Sequence, residues 1–298
     1  MPGNHLICPD DPAYPDLLKE IPAAPLLLYC RGNVAALSLP QLAMVGTRHP
    51  TYAGKDNAAR LCSELVGCGL AITSGLALGI DGVCHQQALA AGGITLAVLG
   101  SGLDCLYPKR HQGLAGQILE SGGLLISELA PDKGPLAEHF PRRNRIMSGL
   151  SLGTLVVEAA LASGSLITAR LAAEQGREVF AIPGSIHAPQ SRGCHALIRQ
   201  GAKLVESAQD VLEELRWHAP AAAIPAEQPA SEEPLAPSYQ CVLDALGFDP
   251  LGLDALVART GLDAATLQQA MDDFAGRERR FGLTSAQVAD ALPEKTHA

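Results

Sequence analysis

Short apolar runs punctuated by glycine set the frame of this chain. Leu42–Val45 runs into Gly46, Leu70–Thr73 into Ser74-Gly75, Ile94–Leu99 into Gly100, and Val179–Ile182 into Pro183-Gly184. Two further runs, Leu124–Ser127 and Thr154–Val157, end at Glu128 and Glu158. Between them lie stretches with helical spacing: 54–68, 81–91 with Asp81 as expected N-cap, 111–121, 140–150, and 165–175 with Ser165 as expected N-cap. The runs are continuous rather than alternating, as in strands covered on both faces. Strand and helix in alternation predict an α/β fold, a parallel sheet with helices on both faces. In such a sheet the carboxyl ends of the strands share one crevice, where ligands bind. Glycine there lets backbone N–H groups approach a phosphate, although strand-to-helix turns use glycine in any case.

One stretch carries an unusual charge density near that edge. Phe140-Pro141-Arg142-Arg143-Asn144-Arg145 places three arginines beside a ring in a chain with few aromatics. An unpaired guanidinium is too costly to bury, so the three are expected to meet solvent and acidic neighbours, or an anion. The planar guanidinium suits phosphate, and an aromatic ring suits a base.

Composition narrows the class. At 298 residues and 47% hydrophobic, the chain has enough for one large domain and one small one. The net charge of -9 is uneven: residues 220–298 hold 12 acidic and 5 basic side chains, leaving a net of only -2 before them. A local basic footprint for nucleic acid is compatible with that balance. No apolar run is long enough to span a bilayer, and the start of the chain does not read as a secretion signal. The eight cysteines are scattered without a Cys-x-x-Cys pair, and the histidines lack metal spacing. Reduced thiols in a cytoplasm, and no metal, are the expectation. Neither Gly-x-Gly-x-x-Gly after the first parallel strand nor a Gly-Lys-Ser/Thr loop occurs, which disfavours a dinucleotide or ATP cofactor.

The organisation expected from the sequence is an N-terminal Pro-rich segment (1–40) packed on the main domain, with a short strand at Leu26–Tyr29 and a turn at Arg31-Gly32-Asn33, then the α/β domain (41–218), a linker rich in Ala, Pro and Glu (219–237), and a small helical domain (238–298). In the last, helices at 253–259 and 263–271 flank Thr260-Gly261-Leu262, a helix-turn-helix spacing. The second helix carries Asp263, Asp272 and Asp273 without Lys or Arg, so reading DNA with it is electrostatically unfavourable.

Together these motifs resemble the DNA-processing protein A family (DprA, or Smf). They are Met44-Val45-Gly46-Thr47-Arg48, Thr73 to Asp81, Gly100-Ser101-Gly102-Leu103-Asp104 with Tyr107-Pro108, Phe140 to Arg145, and Ala181-Ile182-Pro183-Gly184. Order and spacing match over about residues 10–216. The resemblance implies an extended Rossmann-like domain with a small winged-helix-like domain after it. It also implies a non-enzymatic protein that binds single-stranded DNA, forms homodimers and loads RecA in natural transformation. Carried over by residue, Arg48, set by Gly46 and Thr47, takes the phosphate-contacting role, and Phe140 the base-contacting role with Arg142, Arg143, Asn144 and Arg145 behind it. Ser74, Gly75 and Lys109 complete the expected DNA-binding set, and no residue is expected to be catalytic. Some members carry a lysine three positions before the aromatic; here it is Ala137, for which Lys133 or Lys109 would have to substitute. Many members begin with a helical domain for which this chain starts too late. The wing is expected to be absent or altered, because Arg277-Glu278-Arg279-Arg280 leads into another helical stretch.

Two other readings compete. Gly153-Thr154-Leu155-Val156-Val157-Glu158 is similar to a motif of the lonely-guy nucleotide phosphoribohydrolases, which would make Glu158 a catalytic carboxylate. The Pro-Gly-Gly that precedes that motif in those enzymes is replaced here by Leu150-Ser151-Leu152. The other is an adaptor whose acidic tail recruits a protein partner.

Overall fold

The computed structural model describes residues 3–217, 242, 245 and 252–269. Two units are separated near residue 225.

In chain order the first unit contains β1 (Asn4–Ile7), α1 (Asp16–Lys19), β2 (Leu28–Gly32), β3 (Gln41–Val45), α2 (Tyr52–Gly67), β4 (Ala71–Ser74), α3 (Ile80–Ala90) and β5 (Thr95–Val98). It continues with α4 (Gln112–Glu120), β6 (Leu124–Ser127), α5 (His139–Leu150), β7 (Gly153–Val156), α6 (Ser165–Glu174), β8 (Glu178–Ala181), α7 (Arg192–Arg199), β9 (Lys203–Leu204) and α8 (Ala208–Glu214). The strands form one sheet in the order β1-β2-β6-β5-β4-β3-β7-β8-β9. From β6 to β9 every pairing is parallel.

Side chains alternate between two apolar layers, which explains the continuous runs. Leu42, Met44 and Ile72 enter the layer under α2, α3 and α8, and Ala97 and Leu125 the layer under α4. Val45, Leu96, Val98, Leu124 and Ile126 enter the opposite layer with Ile146, Met147 and Leu150 of α5 and Ala169 of α6. Burial on both sides of each strand from β3 to β7 leaves no polar face in the period-2 pattern.

The N-terminal segment departs from expectation. Instead of only lying against the domain, it adds two strands to the sheet. β2 pairs antiparallel with β6 through Tyr29–Ser127 and Cys30–Ile126, and β1 pairs antiparallel with β2. Two of the expected helix caps are also corrected. α3 begins at Ile80 with Gly79 as cap at φ +83°, and Asp81 lies within the first turn. α6 is preceded by Gly164, while the Ser165 hydroxyl pairs with that of Ser163. The seven described cysteines are free.

Strand order reverses beside β3: β4, β5 and β6 lie on one side of it, β7, β8 and β9 on the other. A crevice is expected at such a switch point, outside the carboxyl ends of the strands.

In the second unit α9 (Leu253–Thr260) ends at Gly261, φ +68°, and residues 264–269 are again helical. Val242, Leu256 and Leu267 form its small core. Asp263 caps the second helix by accepting from the Thr266 N–H at 2.9 Å and its hydroxyl at 2.8 Å. That carboxylate, held below the usual range by these bonds, is therefore committed within its own chain. The expectations for Asp272, Asp273 and the wing fall outside the described residues.

Candidate nucleic-acid interface

A cavity of about 690 Å³ opens at the switch point. Val45 and Gly46 supply the end of β3, Ala77 and Asp81 the turn after β4, and Ser163 to Thr168 the turn after β7 and the start of α6. A volume of this order holds a small ligand or part of a polymer.

α5 forms one wall, and its helical period sorts the residues of the arginine-rich stretch. Phe140, Arg143, Asn144 and Met147 line the cavity. They are spaced i, i+3, i+4 and i+7, one face of a helix. Arg142 and Arg145 fall on another face and share Glu128: Arg142 Nε lies 3.3 Å from one carboxylate oxygen and Arg145 Nη2 lies 2.5 Å from the other. Arg145 also donates to the Ala23 carbonyl, tying α5 to the N-terminal segment. Arg142 remains largely exposed, with 65% of its side chain open to solvent.

Arg143 is buried rather than solvent-facing, but it is not unpaired. It is 7% exposed, at the floor of the cavity. Nη1 donates to the Gly75 carbonyl at 2.8 Å and to the Val98 carbonyl, and Nε donates to Asn144 Oδ1 at 3.0 Å. These acceptors at the ends of β4 and β5, with the Asp81 carboxylate nearby, stand in for water. Burial nevertheless pulls its pKa down to about 10, with Asp81 acting in the opposite direction.

Asp81 is the partner that the cap assignment missed. One of its oxygens accepts from the Gly75 N–H at 3.1 Å and the Ala77 N–H at 3.4 Å. Burial raises its pKa, opposed by Arg143 and by these two N–H groups. The loop it holds includes Leu76 at φ +57°, whose carbonyl lies 2.9 Å from His111 Nδ1. Gly75 has no room for a side chain, because a Cβ there would run into the Arg143 guanidinium.

The mouth of the cavity is aromatic and cationic. Arg48 is exposed, and its guanidinium carbon lies 5.8 Å from the centroid of the Phe140 ring. Tyr107 stands beside Phe140, centroids 5.7 Å apart and ring planes at 56°. Arg48, Gly75, Leu78, Tyr107 and Phe140 also line a smaller adjoining recess.

Of the residues expected in the site, Gly46, Arg48, Phe140, Arg143 and Asn144 line the main cavity, and Gly75 the recess. Thr47 is spent locally, accepting from the His49 N–H, and Ser74 donates to the Met44 carbonyl. Lys109, Arg142 and Arg145 lie outside the lining, whereas Ala137 is part of it. Tyr107 and Asp81 were legible only as motif members; the i, i+3, i+4, i+7 spacing from Phe140 would have sorted the arginines.

Glu158 faces elsewhere. Its carboxylate accepts from the Thr51 N–H at 2.9 Å and from the Thr51 hydroxyl, at the N-cap of α2.

The family model of DNA recombination-mediator protein A matches residues 5–216, and that of the DprA winged helix domain matches residues 226–271. Protein Smf of Escherichia coli strain K12 is 52% identical over 216 residues, 72% of this chain and 58% of that protein, so this chain spans under two thirds of that relative. The DNA processing protein DprA of Streptococcus pneumoniae is 48% identical over 207 residues, 70% of this chain and 73% of that one. The X-ray structure of the pneumococcal DprA superposes with a TM-score of 0.69 at 46% identity, covering 72% of this chain and 75% of that chain. DNA processing protein A of Helicobacter pylori, a structure concerned with its single-stranded-DNA binding mode, superposes with a TM-score of 0.64 at 30% identity, covering 71% of this chain and 96% of that one.

Proposed function

This chain belongs to the DNA recombination-mediator protein A family, and on that footing we propose that it binds single-stranded DNA at the carboxyl edge of its Rossmann-like sheet. The observation that carries the reading is the pairing of Arg48 with Phe140 at the mouth of the cavity. A cation and aromatic rings side by side, over a floor holding a second guanidinium, suit an alternation of phosphate and base. Exposed Arg48 grips a phosphate, Arg142 offers a further cation from the outer face of α5, and the aromatic wall meets bases. Arg143 and Asn144 shape the floor. The function is binding and protection without turnover, with RecA loading and pairing of two copies through the Rossmann-like unit as part of the same role.

The test is fluorescence anisotropy of a labelled single-stranded oligonucleotide across salt, with duplex as competitor. The expected result is binding that duplex does not displace and that weakens as salt releases counterions, with a slope of about 0.7 per phosphate contact. Arg48→Ala is expected to weaken oligo-dT and oligo-dA alike, because phosphate contacts carry no sequence information. Absence of binding at low salt would overturn the reading. RecA loading is read as faster filament growth on the strand when this protein is added, and pairing as a dimer in sedimentation.

The nucleotide phosphoribohydrolase reading receives less support. Glu158 is bonded to Thr51 and is not among the residues lining the cavity.

A further inference from the structure

We infer that Arg31, on the added strand β2, is a positioning residue for this site: it holds the strap of residues 128–138 that supplies part of the cavity wall. The inference rests on the single-stranded-DNA reading, and it gives the Gly100-Ser101-Gly102-Leu103-Asp104 motif a task within it.

Arg31 uses its guanidinium on three partners. Nε donates to Asn4 Oδ1 at 2.8 Å, Nη1 to the Leu103 carbonyl at 3.0 Å, and Nη2 to Asp104 Oδ1 at 2.6 Å. The first partner starts β1, and the other two belong to the segment after β5. A guanidinium is planar and its donors point in fixed directions. Partners on three sides of it therefore fix where the segment after β5 lies relative to β1 and β2.

That segment is tied in turn to the strap, mostly by backbone. The Gly102 N–H donates to the Lys133 carbonyl at 2.7 Å and the Asp104 N–H to the Pro131 carbonyl at 2.9 Å. The Cys105 thiol donates to the Asp132 carbonyl at 3.3 Å. The two segments approach so closely that a Cβ on Gly102 would fall 2.2 Å from the Ala130 carbonyl oxygen and 2.3 Å from that of Pro131. At the root of the strap, the Ser127 hydroxyl donates to the Ser101 carbonyl at 2.8 Å. Residues 132–138 are all exposed, yet Pro135 and Ala137 line the cavity. The strap then runs into α5, the wall that carries Phe140 and Arg143.

Magnitudes decide which property Arg31 controls. Its ion pair with Asp104 is open to solvent on the carboxylate side, 53% exposed, and such pairs add little to global stability. The fold rests on its apolar layers. Loss of Arg31 is then a local event, in which residues 102–105 and the strap gain freedom. A strap ordered beforehand loses less freedom when a strand binds, and a strap that opens leaves only a fraction of the molecules competent to bind.

The experiment compares the full chain with Arg31→Met by two readouts. One is alkylation by iodoacetamide, mapped by peptide: Cys105 is half-buried, Cys8 is exposed and reports the reagent, and Cys62 and Cys84 are buried and report the fold. The other is anisotropy of labelled oligo-dT across salt. In Arg31→Met, Cys105 is expected to react faster relative to Cys8 while Cys62 and Cys84 stay protected. Oligo-dT affinity is expected to fall by about three- to tenfold with an unchanged slope of log K against log salt. If Cys62 and Cys84 also become reactive, the substitution has unfolded the chain and the decision passes to Asp104→Ala. That variant leaves β2 intact and should show both effects at smaller size. The inference is overturned if Cys105 reacts at the parent rate in the folded variant, or if oligo-dT affinity stays at the parent value. It is also overturned if the salt slope shrinks by about 0.7, which would make Arg31 a phosphate contact itself. A parent that does not bind oligo-dT overturns the single-stranded-DNA reading, whereas a binding parent with a variant unchanged in both readouts overturns this inference alone.

Discussion

Asp81 and Arg143 hold the two ends of a single residue, Gly75. The Gly75 N–H donates to the Asp81 carboxylate at 3.1 Å, and the Gly75 carbonyl accepts from Arg143 Nη1 at 2.8 Å. Both side chains are buried, 6% and 7% exposed. The turn after β4 is therefore fixed by opposite charges acting through one glycine, and the floor of the cavity is built before any ligand arrives.

Removing one member should expose how costly the other is. Arg143→Met leaves the Gly75 and Val98 carbonyls without their donor and Asp81 without its compensating charge. The expected loss is about 3 kcal/mol or more of unfolding free energy, read by urea denaturation. Asp81→Asn in the Arg143→Met background should cost less than Asp81→Asn alone, because the uncompensated charge is gone. Additive losses would mean that the two side chains act independently.

Beneath this floor His85 gives the fold an acid limb. His85 is fully buried, and its Nδ1 lies 2.7 Å from the Thr95 hydroxyl. That hydroxyl donates its own proton to the Ile72 carbonyl, so Nδ1 is the protonated nitrogen and Nε2 is left buried without a partner. Burial first, then His111 and Arg143, push the His85 pKa down to about 3. A depressed histidine stabilises fully above its unfolded value near 6.5, and that stability is lost as pH falls toward 3, by up to about 1.4 kcal/mol per pH unit. Asp81 runs the other way: its raised pKa gives stability present below the unfolded carboxylate value and lost as pH rises through the folded one. Between pH 7 and pH 4 the His85 contribution lowers the urea midpoint as pH falls, so the acid-side change should be more favourable in His85→Leu than in the parent. An unchanged slope would remove His85 as the source.

The frame of the fold was legible because both faces of each strand from β3 to β7 are buried, so the apolar runs could not be mistaken for half-exposed strands. β1 escaped notice, and β2 was legible only as the run Leu26–Tyr29, ended too early by a turn expected at Arg31–Asn33: Asn4–Ile7 is mostly exposed and Leu28–Gly32 only partly buried, and an antiparallel pairing leaves no glycine-ended crossover signature. The site was half legible. Arg48 and Phe140 stand out by residue type, whereas the burial of Arg143 depends on carbonyls of β4 and β5 that are 68 and 45 positions away in sequence. No local pattern carries that information. Asp81 was assigned to the helix cap because caps and first-turn acids look alike by composition.

Ala137 marks a place where the site can be strengthened. It lines the cavity, and neither Lys109 nor Lys133 does. Ala137→Lys adds one cation beside Arg48 and Phe140. Single-stranded-DNA affinity at low salt should rise, and the plot of log K against log salt should steepen by about 0.7, one additional phosphate contact. A rise in affinity with an unchanged slope would show that the lysine acts through something other than phosphate.

Glu158 separates the two functional readings. As a structural group it holds the N-terminus of α2: its carboxylate binds the Thr51 N–H and hydroxyl, while the Thr51 hydroxyl oxygen accepts from the Gly54 N–H at 2.9 Å. Gly54 has no space for a Cβ, which would strike the Glu158 carboxylate. Glu158→Ala therefore removes two bonds at a helix cap and should cost about 1–2 kcal/mol of stability. Single-stranded-DNA affinity, measured where the variant remains folded, should stay at the parent value, because Glu158 does not line the cavity. If the parent instead released free base from nucleoside monophosphates and Glu158→Ala abolished that release while melting at the parent temperature, the carboxylate would be catalytic and the helix-cap role secondary.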